Sequence, residues 1–211
     1  MKKLIVFDFD GVLIDSFEIW YKINKLAAGK LGKVLLKRDY LKGFSGNIHA
    51  GLTEILKLKR ADVLKFAQIK RELIKKNYSS SRLNFFGPSI KILKNLYKLT
   101  DMCIVTSSPE VAVFSLLKKN KLDKFFTKIY GLNKNGKRHT FMKLKQRYLV
   151  KNMILVTDTV GDLREAQAVK IKTCAVGWGF HSKKELISAS PEKFAGNFQQ
   201  LEKILLNHVK A

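Results

Sequence analysis

Cysteine is scarce in this chain. Cys103 and Cys174 are the only two, far apart, and each lies inside an apolar run that reads as a strand. That excludes a disulfide-stapled secreted domain, and the spacing is not that of a metal site. Buried, reduced thiols in a cytoplasmic protein are the expectation. Long apolar runs are missing as well. No stretch approaches the ~20 residues that cross a bilayer, so a transmembrane helix is not expected. Lys2 and Lys3 lead into Leu4–Phe7 as a signal peptide would begin, but Asp8 and Asp10 end that run too early for one. Low-complexity tracts and internal repeats are also lacking, and a hydrophobic content of 46% argues against disorder. Acidic residues are outnumbered, 17 against 41 basic ones, which leaves a net charge of +24. Such a charge points either to a polyanion partner such as nucleic acid or to compositional bias. Most of the basic residues are Lys, without the planar bidentate fork of Arg. They are spread along the whole chain with no aromatic-interleaved patch or arginine-rich arm. Bias is therefore the favoured reading and nucleic acid the lesser one. On either reading the field draws anionic substrates in a salt-dependent manner.

What is present is an alternation. The 211 residues suffice for one substantial core, or a core plus a small inserted module. Short apolar runs at Lys3–Phe7, Met102–Val105, Lys128–Tyr130, Met153–Val156 and Thr173–Val176 read as strands. Between them Ser89–Leu99, Val111–Asn120, Thr140–Leu149 and Leu163–Val169 carry helical periodicity, and Gln199–Asn207 reads as a closing helix. Strand and helix in alternation predict a doubly wound parallel sheet with helices on both faces. One stretch breaks the rhythm. Between the first and second strands, residues 15–86 hold no convincing strand, while Glu18–Lys30, Thr53–Lys59 and Asp62–Lys76 are helical in pattern. This predicts a helical insertion at 15–86 in a core made of residues 1–14 and 87–211. Gly87-Pro88 marks the return, with Pro88 suited to a helix entrance.

The chemistry gathers where strands end. The first strand stops on Asp8-Phe9-Asp10-Gly11-Val12-Leu13. Aspartate is depleted in strands, but in an open parallel sheet the carboxyl ends of the strands are where ligands bind. Thr106-Ser107-Ser108 follows the second strand, Lys137 precedes the helix after the third, and Asp158 and Asp162 follow the fourth. Right-handed crossovers place all of these on one edge. Carboxylates so crowded repel one another unless a cation sits among them, and Mg²⁺ suits oxygen ligands. A carboxylate beside Mg²⁺ and a lysine can attack phosphorus, while a second carboxyl protonates the leaving oxygen and then activates water.

These residues, in this order, resemble the four motifs of the haloacid dehalogenase superfamily. The helical insertion resembles the cap of its phosphoglycolate-phosphatase-like branch. Leu122-Asp123-Lys124-Phe125-Phe126 and Val176-Gly177-Trp178-Gly179-Phe180-His181-Ser182 are further family-like text. The resemblance implies a core of strand order 5-4-1-2-3 and a helical cap. It implies Asp8 as nucleophile and metal ligand, and Asp10 as general acid and base with its backbone carbonyl on the metal. Thr106 would bond the transferring phosphoryl group, with Ser107 beside it, and Lys137 would balance the charge on Asp8 and the phosphoryl. Asp158 would bind Mg²⁺ directly, and Asp162 would bind it through water or orient Lys137. Gly11 would allow a turn that aims backbone N–H groups at phosphate oxygens.

The match has departures and open points. The family often has Lys-Pro at the lysine motif, where Arg138 stands here; Lys134 is the alternative to Lys137. A glycine commonly precedes the metal-binding aspartate, where Thr157 stands, and its extra carbon is expected to crowd the metal edge and slow turnover. Ser107 or Ser108 is expected to cap the next helix and leave Thr106 free. Asp15-Ser16 fits either a hinge or a helix cap, and Phe44-Ser45-Gly46-Asn47 either a substrate-facing loop or an interhelical turn. Trp178 and His181 either rim the pocket or are a packing Trp and a surface His. His49, His139 and His208 have no ligand spacing. The expected activity is Mg²⁺-dependent hydrolysis of a small phosphate monoester through an aspartyl-phosphate. A sugar phosphomutase, a nucleic-acid end phosphatase and a metal-binding pseudoenzyme are the alternatives. The expected partner is a small anionic phosphorylated substrate, not a membrane.

Overall fold

The computed structural model describes residues 2–77, 83–131 and 136–211. The chain divides into two compact units, residues 1–15 with 85–211, and residues 16–84.

The larger unit is built on a parallel sheet. Its strands are β1 (Leu4–Phe7), β4 (Asp101–Val105), β5 (Lys128–Tyr130), β6 (Met153–Thr157), β7 (Lys172–Val176) and β8 (Lys193–Ala195), in the order β5-β4-β1-β6-β7-β8. Taken from the other end, this contains the expected order with one more edge strand. β1 is central because it is wholly apolar; all four of its side chains are buried. A strand covered on both faces reads as a continuous hydrophobic run, not an alternating one. Leu4 pairs with Asp101 on one side and Met153 on the other, and Phe7 with Ile104 and Val156. The three strands therefore end level, which sets their following loops side by side.

Helices α5 (Gly87–Leu96), α6 (Glu110–Lys119), α7 (Gly136–Leu144), α8 (Val160–Gln167), α9 (Lys183–Ser188) and α10 (Phe198–Lys210) alternate with the strands. One core layer joins Leu4, Val6, Val105, Phe141, Leu155 and Ala166. Pro88 sits in the first turn of α5, as its missing N–H favours. α7 starts four residues before the expected Thr140, because the polar Gly136–His139 carries no apolar period although Lys137 there is buried. β8 and α9 were not expected from the sequence. Lys193–Ala195 is too short to show alternation, and the six residues of α9 too few to show a period. α9 is marked instead by its ends: Ser182 and Glu185 form a reciprocal capping box.

The chain leaves the larger unit through β2 (Ile14–Asp15) and returns through β3 (Asn84–Phe85), two short strands that pair with each other. The smaller unit holds α1 (Phe17–Gly29), α2 (Lys37–Lys42), α3 (Ile48–Ile55) and α4 (Arg60–Asn77). Its own core is Trp20, Ile23, Ala27, Tyr40, Leu52 and Phe66 with their neighbours. α3 lies earlier than the expected Thr53–Lys59, because Asn47 starts it by accepting from the backbone N–H groups of His49 and Ala50. Phe44-Ser45-Gly46-Asn47 is thus a tight turn ending in a helix cap. Ser16 stands at the N-cap of α1, but its hydroxyl makes no cap bond. Among the described residues, no helix is long and apolar enough to cross a membrane.

Candidate active site

The site begins where β1 stops. Asp8 extends the ladder by one bond, its N–H donating to Val156 O at 2.9 Å. Its side chain is buried and faces Lys137. The Lys137 ammonium lies 2.7 Å from Asp8 Oδ2 and 2.7 Å from Asp162 Oδ2, so one cation bridges two carboxylates from β1 and α8. Lys137 is only 7% exposed, an extreme value for lysine, which is rarely buried unless paired. The backbone N–H of Arg138 donates to Glu165 Oε2 at 2.6 Å and fixes the start of α7 against α8. Lys134 lies outside the described residues.

Asp162 has a second donor. Thr157 Oγ1 donates to Asp162 Oδ2 at 2.9 Å. The Thr157 side chain therefore supports the carboxylate that Lys137 bridges to Asp8.

Asp10 belongs to a separate group of contacts. Ser108 Oγ donates to Asp10 Oδ2 at 2.6 Å and Thr106 Oγ1 lies 3.3 Å from the same oxygen. The Ser108 N–H in turn donates to Thr106 Oγ1 at 3.0 Å. The expectation of a capping serine and a free Thr106 is corrected here. No side chain caps α6, whose N-cap is Pro109. Ser108 serves Asp10 instead, and Thr106 is bonded on both sides. Ser107 is exposed and, with Thr106 and Lys137, lines a small pocket against Tyr130 and Thr140.

Asp158 is the most enclosed of the acids, with no exposed surface. The backbone N–H of Phe180 donates to its Oδ2 at 2.7 Å, while its Oδ1 is buried with no hydrogen-bond partner. Two glycines make room for it. A Cβ at Gly11 would stand 2.0 Å from Asp158 Oδ2, and one at Gly179 would stand 2.2 Å from the same atom. Gly11 also has φ +73, in the left-handed region. Its N–H donates to Ile14 O at 2.9 Å within its own turn, and its closeness to Asp158 leaves no room for a Cβ.

The electrostatics follow from the charge count. Asp8 and Asp158 are buried and Asp162 is half-buried, three carboxyls around one ammonium. Burial pushes the Asp8 carboxyl well above its ordinary range, Lys137 pulls it back, and the charges of Asp162 and Asp158 add to the rise. Burial likewise lifts Asp158, to about 7, against the Phe180 N–H that favours its charged form. Burial opposes ionisation of Asp162 too, yet Lys137 and the hydrogen bonds around it hold that group below the ordinary value. Lys137 is resisted by burial, and Asp162 and Asp8 together raise it, so it stays an ammonium. Two carboxyls are thus left short of a cation.

Among the described residues, no three His, Cys, Asp or Glu side chains form a ready-made cage for an ion. Mg²⁺ needs no such cage, since it keeps several waters and takes one or two carboxylates plus substrate phosphate oxygens. The orphaned Oδ1 of Asp158, set in a cradle that any Cβ would fill, fits one such ligand.

Residues beyond this set also have defined places. His181 is buried, not a surface group; its Nδ1 accepts the N–H of Val160 at 3.0 Å and so satisfies the start of α8. Trp178 stacks on Phe198 with ring centroids 4.1 Å apart and donates to Val12 O at 3.3 Å. His208 is buried with Nε2 3.1 Å from Asn152 O. Sequence reasoning missed Ser108 as a partner of Asp10, Glu165 as the anchor of α7, and Gly179 with Phe180 as the seat of Asp158. Only Gly179-Phe180 carried a signal, as part of the family-like text after β7.

A parallel α/β sheet whose strand ends hold Asp8, Asp10, Thr106 and Asp158, with a buried lysine bridge, defines a class of hydrolase with an acidic centre. The sequence matches the family of haloacid dehalogenase-like hydrolases over residues 5–176, and the chain belongs to that family. Among curated relatives, a phosphoglycolate phosphatase from Vibrio parahaemolyticus is 22% identical over 219 residues, covering 96% of each chain. One of the same name from Pseudomonas fluorescens is 24% identical over 216 residues, covering 95% of this chain and 79% of its own. Among solved structures, a predicted phosphatase from Clostridium acetobutylicum superposes with a TM-score of 0.85 at 20% identity, covering 98% of this chain and 99% of its own. A haloacid dehalogenase-like family hydrolase from Streptococcus pneumoniae gives 0.80 at 20% identity, covering 97% and 98%. At such identities the structural likeness speaks for the fold.

Proposed function

We propose that this hydrolase is a phosphatase that cleaves a small phosphate monoester through an aspartyl-phosphate on Asp8, with Mg²⁺ as cofactor. The observation that carries the reading is the buried bridge in which Lys137 Nζ stands 2.7 Å from both Asp8 and Asp162. The names of the curated relatives agree with it.

Asp8 and Asp158 would hold the ion, with the backbone carbonyl of Asp10; Asp162, already committed to Lys137 and Thr157, serves as the orienting residue. When bound, the ion neutralises phosphate charge and stabilises the transition state. Lys137 keeps Asp8 Oδ2 in place and lends positive charge to the site. Asp8 attacks phosphorus, forming an O–P bond as the ester P–O bond breaks. The leaving oxygen takes its proton from the Asp10 carboxyl, which Ser108 and Thr106 hold in position. Asp10, now a carboxylate, accepts a proton from water as that water attacks phosphorus and the Asp8 O–P bond breaks. Inorganic phosphate departs and Asp8 is returned. Thr106 and Ser107 are the groups we assign to the phosphoryl oxygens.

The helical segment 15–86 is proposed as the cap that keeps bulk solute from the reaction, which suits a small substrate. The two buried free thiols fit a cytoplasmic setting. The test is phosphate release from a panel of phosphate monoesters, with and without Mg²⁺, beside Asp8→Asn. Turnover that requires the ion and disappears in the variant is expected. Turnover that persists in Asp8→Asn removes the nucleophile assigned here.

A further inference from the structure

One helix holds Lys137 at both ends. The Lys137 ammonium lies 2.7 Å from Asp162 on α8. Three positions further along α8, Glu165 Oε2 accepts the backbone N–H of Arg138, the residue after Lys137, at 2.6 Å. Residues three apart share a helix face, so one face of α8 grips both the side chain of Lys137 and the backbone that carries it. The first N–H groups of a helix have no partner within it, and a carboxylate is a strong acceptor for them. Glu165 supplies that acceptor to α7 from a neighbouring helix.

Glu165 stands there at a cost. It is half-buried, and burial raises its carboxyl above the ordinary value. The Arg138 N–H opposes that rise, the charge of Asp162 adds to it, and the backbone N–H and ammonium of Lys137 oppose it. Two carboxylates on one helix face repel each other, which an alanine at 165 would avoid. The packing of α8 does not call for Glu165 either, since Leu163 and Ala166 are its buried side chains there.

α7 needs what Glu165 gives. Its apolar anchors Phe141 and Leu144 lie in the core, one and two turns after Lys137. They fix the axis of the helix and leave its opening turn to polar contacts. Lys137 has a flexible four-carbon stem, and its ammonium must meet two carboxylates at 2.7 Å each. A displacement of about 1 Å at such a group can cost about 100-fold in rate.

We propose that Glu165 is a positioning residue of the reaction: it fixes the first turn of α7 so that the Lys137 ammonium reaches Asp8 and Asp162 together. Its effect on rate rests on the phosphatase reading; its effect on Lys137 does not.

The test compares wild type with Glu165→Ala, Glu165→Gln and Asn197→Ala. The last removes the side chain that accepts from Gln200 N–H at the start of α10, and serves as a control for the loss of a helix cap elsewhere. Glu165→Ala is expected to lower kcat by about 10–100-fold with KM little changed. Glu165→Gln keeps an acceptor oxygen and is expected to recover most of that loss, and Asn197→Ala to leave kcat unchanged. Glu165→Asp, one carbon shorter, is expected to lower kcat as well and serves if Glu165→Ala does not fold. A second measurement needs no substrate: proton–nitrogen correlation spectra of protein labelled at lysine Nζ, with the Lys137 ammonium assigned by its absence from Lys137→Met. That signal is expected to shift or broaden in Glu165→Ala and to stay in Glu165→Gln. An unchanged Lys137 signal in Glu165→Ala, no such signal in the wild type, unchanged kcat, no rescue by Gln, or an equal fall in Asn197→Ala overturns the proposal. Should the wild type release phosphate from no ester, the phosphatase reading fails, and the spectra alone decide whether Glu165 positions Lys137.

Discussion

Lys137 Nζ stands 2.7 Å from Asp8 Oδ2, and neither side chain is more than 8% exposed. The proposed nucleophile is therefore held by a cation supplied from a helix more than a hundred residues away in the chain. Lys137→Met keeps the stem but leaves the buried Asp8 and the half-buried Asp162 without their cation. Breaking such a pair is expected to cost about 3 kcal/mol of stability and to lower kcat by about 100-fold or more. Denaturant melts and steady-state kinetics on one preparation check both. A variant with near wild-type turnover would remove Lys137 from the machinery.

Gly11 answers for the space that Asp158 occupies. Gly11→Ala places a methyl 2.0 Å from Asp158 Oδ2 at a φ of +73. The side chain of Asp158 must move, and with it the proposed metal ligand. A loss of about 1–3 kcal/mol in stability is expected, with apparent Mg²⁺ affinity weakened by about 10–100-fold. Titration of activity with Mg²⁺ is the measurement, and an unchanged Mg²⁺ midpoint would speak against Asp158 as a ligand.

Ser108 gives Asp10 its shortest hydrogen bond, 2.6 Å, against 3.3 Å from Thr106. Ser108→Ala leaves the proposed acid with the longer contact alone. We expect kcat to fall about tenfold, as for the loss of about 1.4 kcal/mol, with KM little changed. A rise in KM at constant kcat would instead make Ser108 a binding residue.

His208 lends stability a pH dependence of definite sign. Burial and the nearby lysines set its folded-state pKa below the ordinary 6.5. The unfolded chain then takes up the proton first as the pH falls. The stability that depends on neutral His208 is full above 6.5 and is lost as the pH drops from 6.5 through the folded-state value. His208→Gln cannot titrate and can still donate to Asn152 O. Its unfolding free energy should fall less steeply below pH 6.5 than that of the wild type. Equal slopes in urea melts across that range would contradict the assignment.

The sheet was legible because β1, β4, β6 and β7 are buried on both faces, and continuous apolar runs ending in Asp8, Thr106 and Asp158 leave a mark that needs no partner to be read. β8 and α9 left none. Three residues show no alternation and six show no helical period, so those elements exist through pairing with β7 and through the Ser182–Glu185 capping box. Thr157 illustrates the same limit at a single position. The resemblance implied crowding at the metal edge, and spacing along the chain gave no sign of the hydroxyl's bond to Asp162.

By itself, then, the order of residues determined the kind of sheet and which acids stand at its carboxyl edge, because periodicity and strand ends are local properties. Tertiary structure alone decided that Lys137 bridges Asp8 and Asp162 and that Ser108 belongs to Asp10. Those relations depend on distances across the fold. Hydrogen bonds and charge pairs fall off over a few ångströms, and spacing along the chain does not record such distances.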